Sequence, residues 1–198
     1  MSTPTPNPLK VLVGVGYLWT APESTAMPAD PTGVTGLTVM PSDWGSPFVY
    51  AGATDAGVTI TFAPSMTDVN IEEQLLPALR VPNKAEFSIA AALAEDTIEN
   101  MKLAYGRGTL TTTAAGSGQP GKTVLTLSDN DYDKIALGFE GINTFGFPRR
   151  FYIPSAMSTA TVGTPYRRAS KRLYPVTFSA LCPLSDIVIT DYTAEPTA

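Results

Sequence analysis

The sequence predicts a mainly β protein: a single-domain β-sandwich or barrel-like fold with one flanking α-helix, an extended N-terminal arm (residues 1–8) and a long insert loop (residues 20–57). Three observations carry this. Alternating apolar runs recur along the chain, giving about eight to ten candidate strands. Only one segment has helical spacing with signals at both ends. Polarity comes from Thr, Ser, Gly and Pro rather than from charge: 43% of residues are hydrophobic and only 16% charged, where an average soluble domain has about 25% charged. A chain of 198 residues suits one domain and buries enough surface to fold without staples. The thinly charged exterior suits a β protein that packs against copies of itself.

The elements follow in order. Residues 1–8 are rich in Pro, Thr, Ser and Asn and predict an extended arm. Residues 9–19 predict the first strand, with Leu9, Val11, Val13, Val15, Tyr17 and Trp19 on one face and Gly14 and Gly16 on the other. The insert 20–57 is rich in Pro, Gly, Thr and Ala, yet its second half holds Met40, Trp44, Phe48, Val49 and Tyr50. Disordered linkers rarely carry aromatics so densely. These residues either fold back on their own core or pack on a neighbouring subunit; as interface candidates we take Trp44, Phe48 and Tyr50. Short half-buried strands are expected around Val58–Phe62, Asp68–Glu72 and Ala85–Leu93. Residues 96–105 predict the helix, with Asp96 as N-cap, Glu99 as its capping-box partner and Gly106 as the stop. Strands are then expected over 109–113 and 123–128, joined by a polar turn, and over 134–140, 147–153, 171–182 and 187–190.

Composition removes several chemistries. The chain has no histidine and one cysteine, Cys182. Ser-His-Asp and Cys-His hydrolases, His-ligated metals, an intrachain disulfide and CxxC chemistry are therefore excluded. The net charge of −5 argues against a sequence-reading DNA binder. The N-terminus lacks the basic and apolar regions of a signal peptide, so synthesis and folding in a cytoplasm are expected. No run approaches the roughly 18 apolar residues of a membrane span, and no insertion of this chain into a membrane is expected.

Two motifs mimic sites. Residues 116–123, GSGQPGKT, fit the P-loop letters. A P-loop needs a buried strand before it and a helix after it, so that helix amides face the phosphate. Here TLTTTAA precedes and the β-branched TVLTLSDND follows, which reads as a hairpin tip. The DNDYD run from Asp129 imitates half of a calcium loop but puts Lys134 where the turn glycine belongs. A polar turn is the better reading. We expect no catalytic residue, cofactor or metal.

Charge is unevenly spread. Residues 1–140 hold 15 acids and 7 bases; residues 141–198 hold 3 acids and 6 bases, namely Arg149, Arg150, Arg167, Arg168, Lys171 and Arg172. These either face solvent or meet acidic patches on another subunit. We take all six as candidate interface residues.

Three segments together resemble a known family. They are FAPSMTDVNIEE (62–73), the strand leading into LAEDTIENMKLAYGRG (93–108), and YPVTFSAL (174–181). Within the second, Glu95, Glu99, Asn100, Lys102, Leu103, Ala104 and Gly106 fit a strand-to-helix pattern, and Pro175, Val176, Thr177 and Phe178 fit a late strand. In order and spacing these resemble the tail tube (major tail) proteins of long-tailed phages. The resemblance implies a non-enzymatic virion protein whose subunits form hexameric rings stacked into a tube. It implies partners as well: the tape-measure protein, the tail terminator and tail-tip or baseplate proteins. Phage DNA would pass through without specific binding. Synthesis and assembly would occur in the bacterial host cytoplasm. Two other classes stay open, a decoration or adhesion virion protein that forms no tube and, remotely, a small P-loop nucleotide hydrolase.

Overall fold

The structure is a computed structural model that describes residues 16–30, 44–72, 76–129, 132–166, 168 and 171–193. The N-terminal arm, the first half of the first predicted strand, Met40 and Arg167 lie outside the described residues.

The strands are β1 (Gly16–Pro22), β2 (Val49–Tyr50), β3 (Thr54–Val69), β4 (Leu79–Leu93), β5 (Thr109–Thr113), β6 (Lys122–Thr126), β7 (Lys134–Ile142), β8 (Pro148–Ser158), β9 (Tyr174–Ala180) and β10 (Val188–Asp191); helix α1 is Ile98–Tyr105. One antiparallel sheet runs β2-β1-β7-β8-β9-β4-β3, and β5 with β6 forms a separate hairpin. One edge of β8 is shared: Arg149–Tyr152 pair with β10, and Ala156–Ser158 pair with β9.

The sheet rolls over a single core. Leu18, Leu137 and Ile153 of one half meet Ile89, Leu93, Tyr174, Val176 and Phe178 of the other, and Val58 and Ile60 of the terminal strand β3 pack on the same cluster. This is the mainly β, sandwich-like arrangement expected. Alternation drives it: along β9, Tyr174, Val176 and Phe178 are fully buried and the residues between them are not. Each such burial contributes roughly 1.5–3 kcal/mol.

Helix α1 closes one side of the core with Ala104. It starts one residue later than the sequence suggests. Thr97, in extended conformation, is the N-cap and its side chain accepts from the Asn100 amide. Asp96 instead accepts hydrogen bonds from the Tyr174 hydroxyl and the Arg172 guanidinium. Tertiary partners took the acid, and the neighbouring threonine does the local work. The stop is as expected: Gly106 has φ 63° and its amide donates to the Lys102 carbonyl. The family-like residues here have visible roles. The Glu95 side chain accepts from the Ala53 amide at 2.8 Å, and the Asn100 side chain donates to the Glu95 carbonyl at 3.1 Å. Together they pin the helix entry to the segment that leads into β3.

The largest departure from the sequence reading is the β3–β4 hairpin. The separate short strands expected there are one ribbon, in register from Thr54 opposite Leu93 to Val69 opposite Leu79. Two irregularities interrupt it. One lies at Ala56 and Gly57, both left-handed at φ 58° and 81°, and one between Ser65 and Met66. Pro64 and Pro82 look like strand breakers. They are tolerated because β3 is the last strand of the sheet and β9 pairs only with Ser88–Leu93 of β4. Among the described residues no strand pairs with the outer edge at either proline, and prolines are confined to such edges because they lack a donor.

Candidate functional site

Residues 44–50 of the insert pack on their own subunit. β1, β7 and β8 place Leu18, Leu137 and Ile153 on the core face and Trp19, Ala136 and Tyr152 on the reverse face. On that reverse face lie Trp44 and Phe48, 2% and 7% exposed. The indole of Trp44 stacks on Trp19 with centroids 6.3 Å apart and meets the Phe48 ring edge-on at 5.2 Å. Gly138 makes this possible, since a Cβ there would stand 2.3 Å from the Trp44 ring. Within the single subunit Trp44 and Phe48, candidates for a subunit contact, cover a large apolar face of their own sheet. Tyr50 is 37% exposed but tilts onto Tyr17 and Trp19.

Beneath Trp44 lies a buried ion pair. Glu140 and Arg150 are both 0% exposed. One carboxylate oxygen of Glu140 accepts from the Trp44 indole N–H at 3.1 Å and from Arg150 Nε at 3.2 Å. Arg150 also donates to the Ala29 carbonyl at 3.3 Å, and its guanidinium lies 5.1 Å from the Trp44 ring and 5.8 Å from that of Tyr192. The Tyr192 hydroxyl donates to Asp30 at 2.6 Å. Burial, then the bond to Asp30, pushes this phenol up to about 12. The pair thus gathers the start of the insert, Trp44 and the C-terminal segment on one sheet face.

The other basic residues also find acids within the chain. Arg149 pairs with Asp191 at 2.8 Å, and Lys171 with Asp55 and Arg172 with Asp96 at contact distance. Arg168 is exposed. Within the single subunit, then, Arg149, Arg150, Lys171 and Arg172 of the basic band each have an acidic partner, and Arg149 and Lys171 stay partly open to solvent. The Arg149–Asp191 bond is the clearest case: it joins directly opposed residues of β8 and β10. Being half-exposed, it contributes only about 0–1 kcal/mol.

These pairs set a pH response. The Tyr174 hydroxyl and then Arg172 hold the Asp96 carboxyl below its usual range, and Arg149 followed by Asn143 does the same for Asp191. A folded-state pKa below the unfolded value of about 3.9 stabilises the fold above that pH, and the gain is lost as pH falls through the folded pKa. The melting temperature should therefore drop on acidification below about pH 4, with a shallower slope in Asp191→Asn. An unchanged slope by calorimetry would refute the assignment.

The segment with P-loop letters is the expected hairpin. Thr113 pairs with Lys122, Gly116 and Gln119 exchange backbone bonds at 3.1 Å, and strand β6 follows Lys122. With no helix N-terminus after the loop, phosphate has no amide cradle, and the nucleotide hydrolase reading is set aside. Lys122→Ala should leave the melting temperature unchanged within about 0.5 kcal/mol of stability; nucleotide binding lost in that variant would contradict this. Asp133 of the acidic run pairs with Lys102 at 3.5 Å, and Asp131 lies outside the described residues. Among the described residues, no three His, Cys, Asp or Glu side chains are grouped to hold a metal ion, and no helix is long and apolar enough to cross a membrane.

What the structure offers outward is the far half of the β3–β4 ribbon. Phe62, Met66, Val69, Ile71, Leu76, Leu79 and Val81 are all exposed there, Leu76 at 76%. The register puts Phe62 and Met66 on one face and Val69, Leu79 and Val81 on the other, and so many exposed apolar side chains on one ribbon mark an interaction element. Among the described residues no strand pairs with the outer edge of β3, and such an edge invites another strand. The sequence signal for this arm was its alternation; the pattern did not say that the face would lie beyond the core.

The fold defines a class: a mainly β subunit built on one large antiparallel sheet with a single flanking helix. A family model described as phage tail tube protein matches residues 4–186, and the chain belongs to that family. It is a structural family of the virion and not an enzyme class. No curated protein matches the chain.

Proposed function

We propose that the whole chain acts as one tail-tube domain whose copies form hexameric rings that stack into the phage tail tube, the conduit for DNA delivery. The observation that carries this reading is the β3–β4 ribbon, with an open edge and exposed apolar side chains past Phe87. A two-stranded ribbon is marginal alone in water. Pairing its edge with the next copy removes a hazardous sheet edge and covers exposed apolar side chains. The acidic balance of −5 suits a conduit that must not hold phosphate. The partners fitting this role are the tape-measure protein inside the tube and the terminator and tail-tip proteins at its ends. The exposed Arg168 belongs on the outer wall or at a subunit contact; in the lumen it would retard DNA.

Size-exclusion chromatography with negative-stain electron microscopy tests the reading. Rings or tubes are expected at high protein concentration or on tail-tip components. Monomers alone under both conditions would refute it and favour a decoration protein.

A further inference from the structure

We propose that residues 23–30 form a strap that opens as one unit from the folded subunit, and that Tyr192, far along the chain, is its latch. The device lies within a single copy and goes beyond the tube-building reading.

The chain leaving β1 lies along β8 in reversed order. The Ser155 hydroxyl donates to Glu23 at 2.7 Å, and the Ser24 amide donates to the Pro154 carbonyl at 2.9 Å. The Tyr152 hydroxyl donates to the Thr25 carbonyl, and Arg150 to the Ala29 carbonyl at 3.3 Å. The far end is held by the Tyr192 hydroxyl, which donates to Asp30 at 2.6 Å. The sheet itself places Tyr192. Its amide donates to the Pro148 carbonyl at 3.3 Å, and its carbonyl accepts from the Asn143 side chain.

Little of this stretch is buried. Thr25, Met27 and Pro28 are half-buried, and every other residue from Glu23 to Asp30 is exposed. Met27 packs on the reverse-face cluster of Trp19, Trp44 and Phe48. Hydrogen bonds replace bonds to water and add little net stability, so a segment held mainly by them lies at the low-stability end of a fold. The strap must nonetheless lift whole. Arg150 and Tyr152 are 0% and 7% exposed. A half-lifted strap would take these acceptors away while still keeping water out, which is the costliest arrangement for a buried donor.

That coupling gives Tyr192 its part as a positioning residue. Its hydroxyl ties the end of the strap to the segment after β10, 162 residues apart in the chain. Drawing that segment off β8 would release the strap and open Arg150 and Tyr152 to water.

Amide exchange of the monomeric full chain, resolved residue by residue by NMR, tests the device. In the wild type the Ser24 amide should open at least tenfold more often than the most protected amides of β9, and with a weaker urea dependence because less surface is exposed. Tyr192→Phe removes the hydroxyl and keeps the ring that lies 5.8 Å from the Arg150 guanidinium. This variant and Asp30→Ala should each speed Ser24 exchange a further tenfold or more and leave the β9 rates unchanged. An unchanged Ser24 rate in both variants would overturn the latch, because the two ends would then let go separately. Ser24 and β9 sharing one rate and one urea dependence in the wild type, or speeding up together in the variants, would overturn the strap as a separate unit. Assembly plays no part in these measurements, so their failure would leave the tail-tube reading standing.

Discussion

Glu140→Ala should destabilise the isolated subunit by about 3–5 kcal/mol, because it takes a carboxylate away from a buried guanidinium. Glu140 and Arg150 are both fully buried, and a single Glu140 oxygen serves both Arg150 and the Trp44 indole. Removing it leaves a charge and an indole N–H without that acceptor on a face closed to water. The companion variant Glu140→Leu with Arg150→Met should recover most of the loss, since apolar replacement of a whole buried pair is often neutral or better. Urea unfolding of the three proteins reads this directly. A loss under about 1 kcal/mol in Glu140→Ala would mean that water reaches the site.

Trp44→Ala should cost the subunit about 3–5 kcal/mol, as large aromatic truncations in cores do. The indole fills the reverse face between Trp19, Phe48 and Gly138. Its loss leaves a cavity and frees the insert to lift. The effect should appear in monomer unfolding and in faster proteolysis after Pro22, not in assembly alone. A variant that melts normally yet fails to assemble would return Trp44 to a subunit contact. Because Trp44 donates to Glu140, the losses of Trp44→Ala and Glu140→Ala should be less than additive.

Much of the fold was legible because its causes are local. Alternation marked β7, β8 and β9, since a strand buries every second side chain whatever its partner. Gly106 marked the helix stop because only glycine enters the left-handed region freely. The short apolar content before GSGQPGKT and the β-branched run after it settled hairpin against P-loop from adjacent residues alone. The absence of histidine removed whole reaction classes with no structure needed.

Tertiary structure decided what depends on residues far apart in the chain. Asp96 and Thr97 both suit an N-cap; Tyr174 and Arg172, more than 70 residues on, claimed the first and left the cap to the second. In sequence Trp44 suits its own core or a partner alike; β1, β7 and β8 supply it a second apolar face within the chain, with Gly138 beneath the indole. The basic band reads in sequence as a solvated face or a contact to another subunit; its intrachain acids, Asp55, Asp96, Glu140 and Asp191, are brought alongside only by the tertiary fold. The alternating segments around Phe62 and Val81 read as half-buried strands. Period two fixes which side chains share a face, but only the extent of β9, ending opposite Ser88, determines where the core stops and the exposed arm begins.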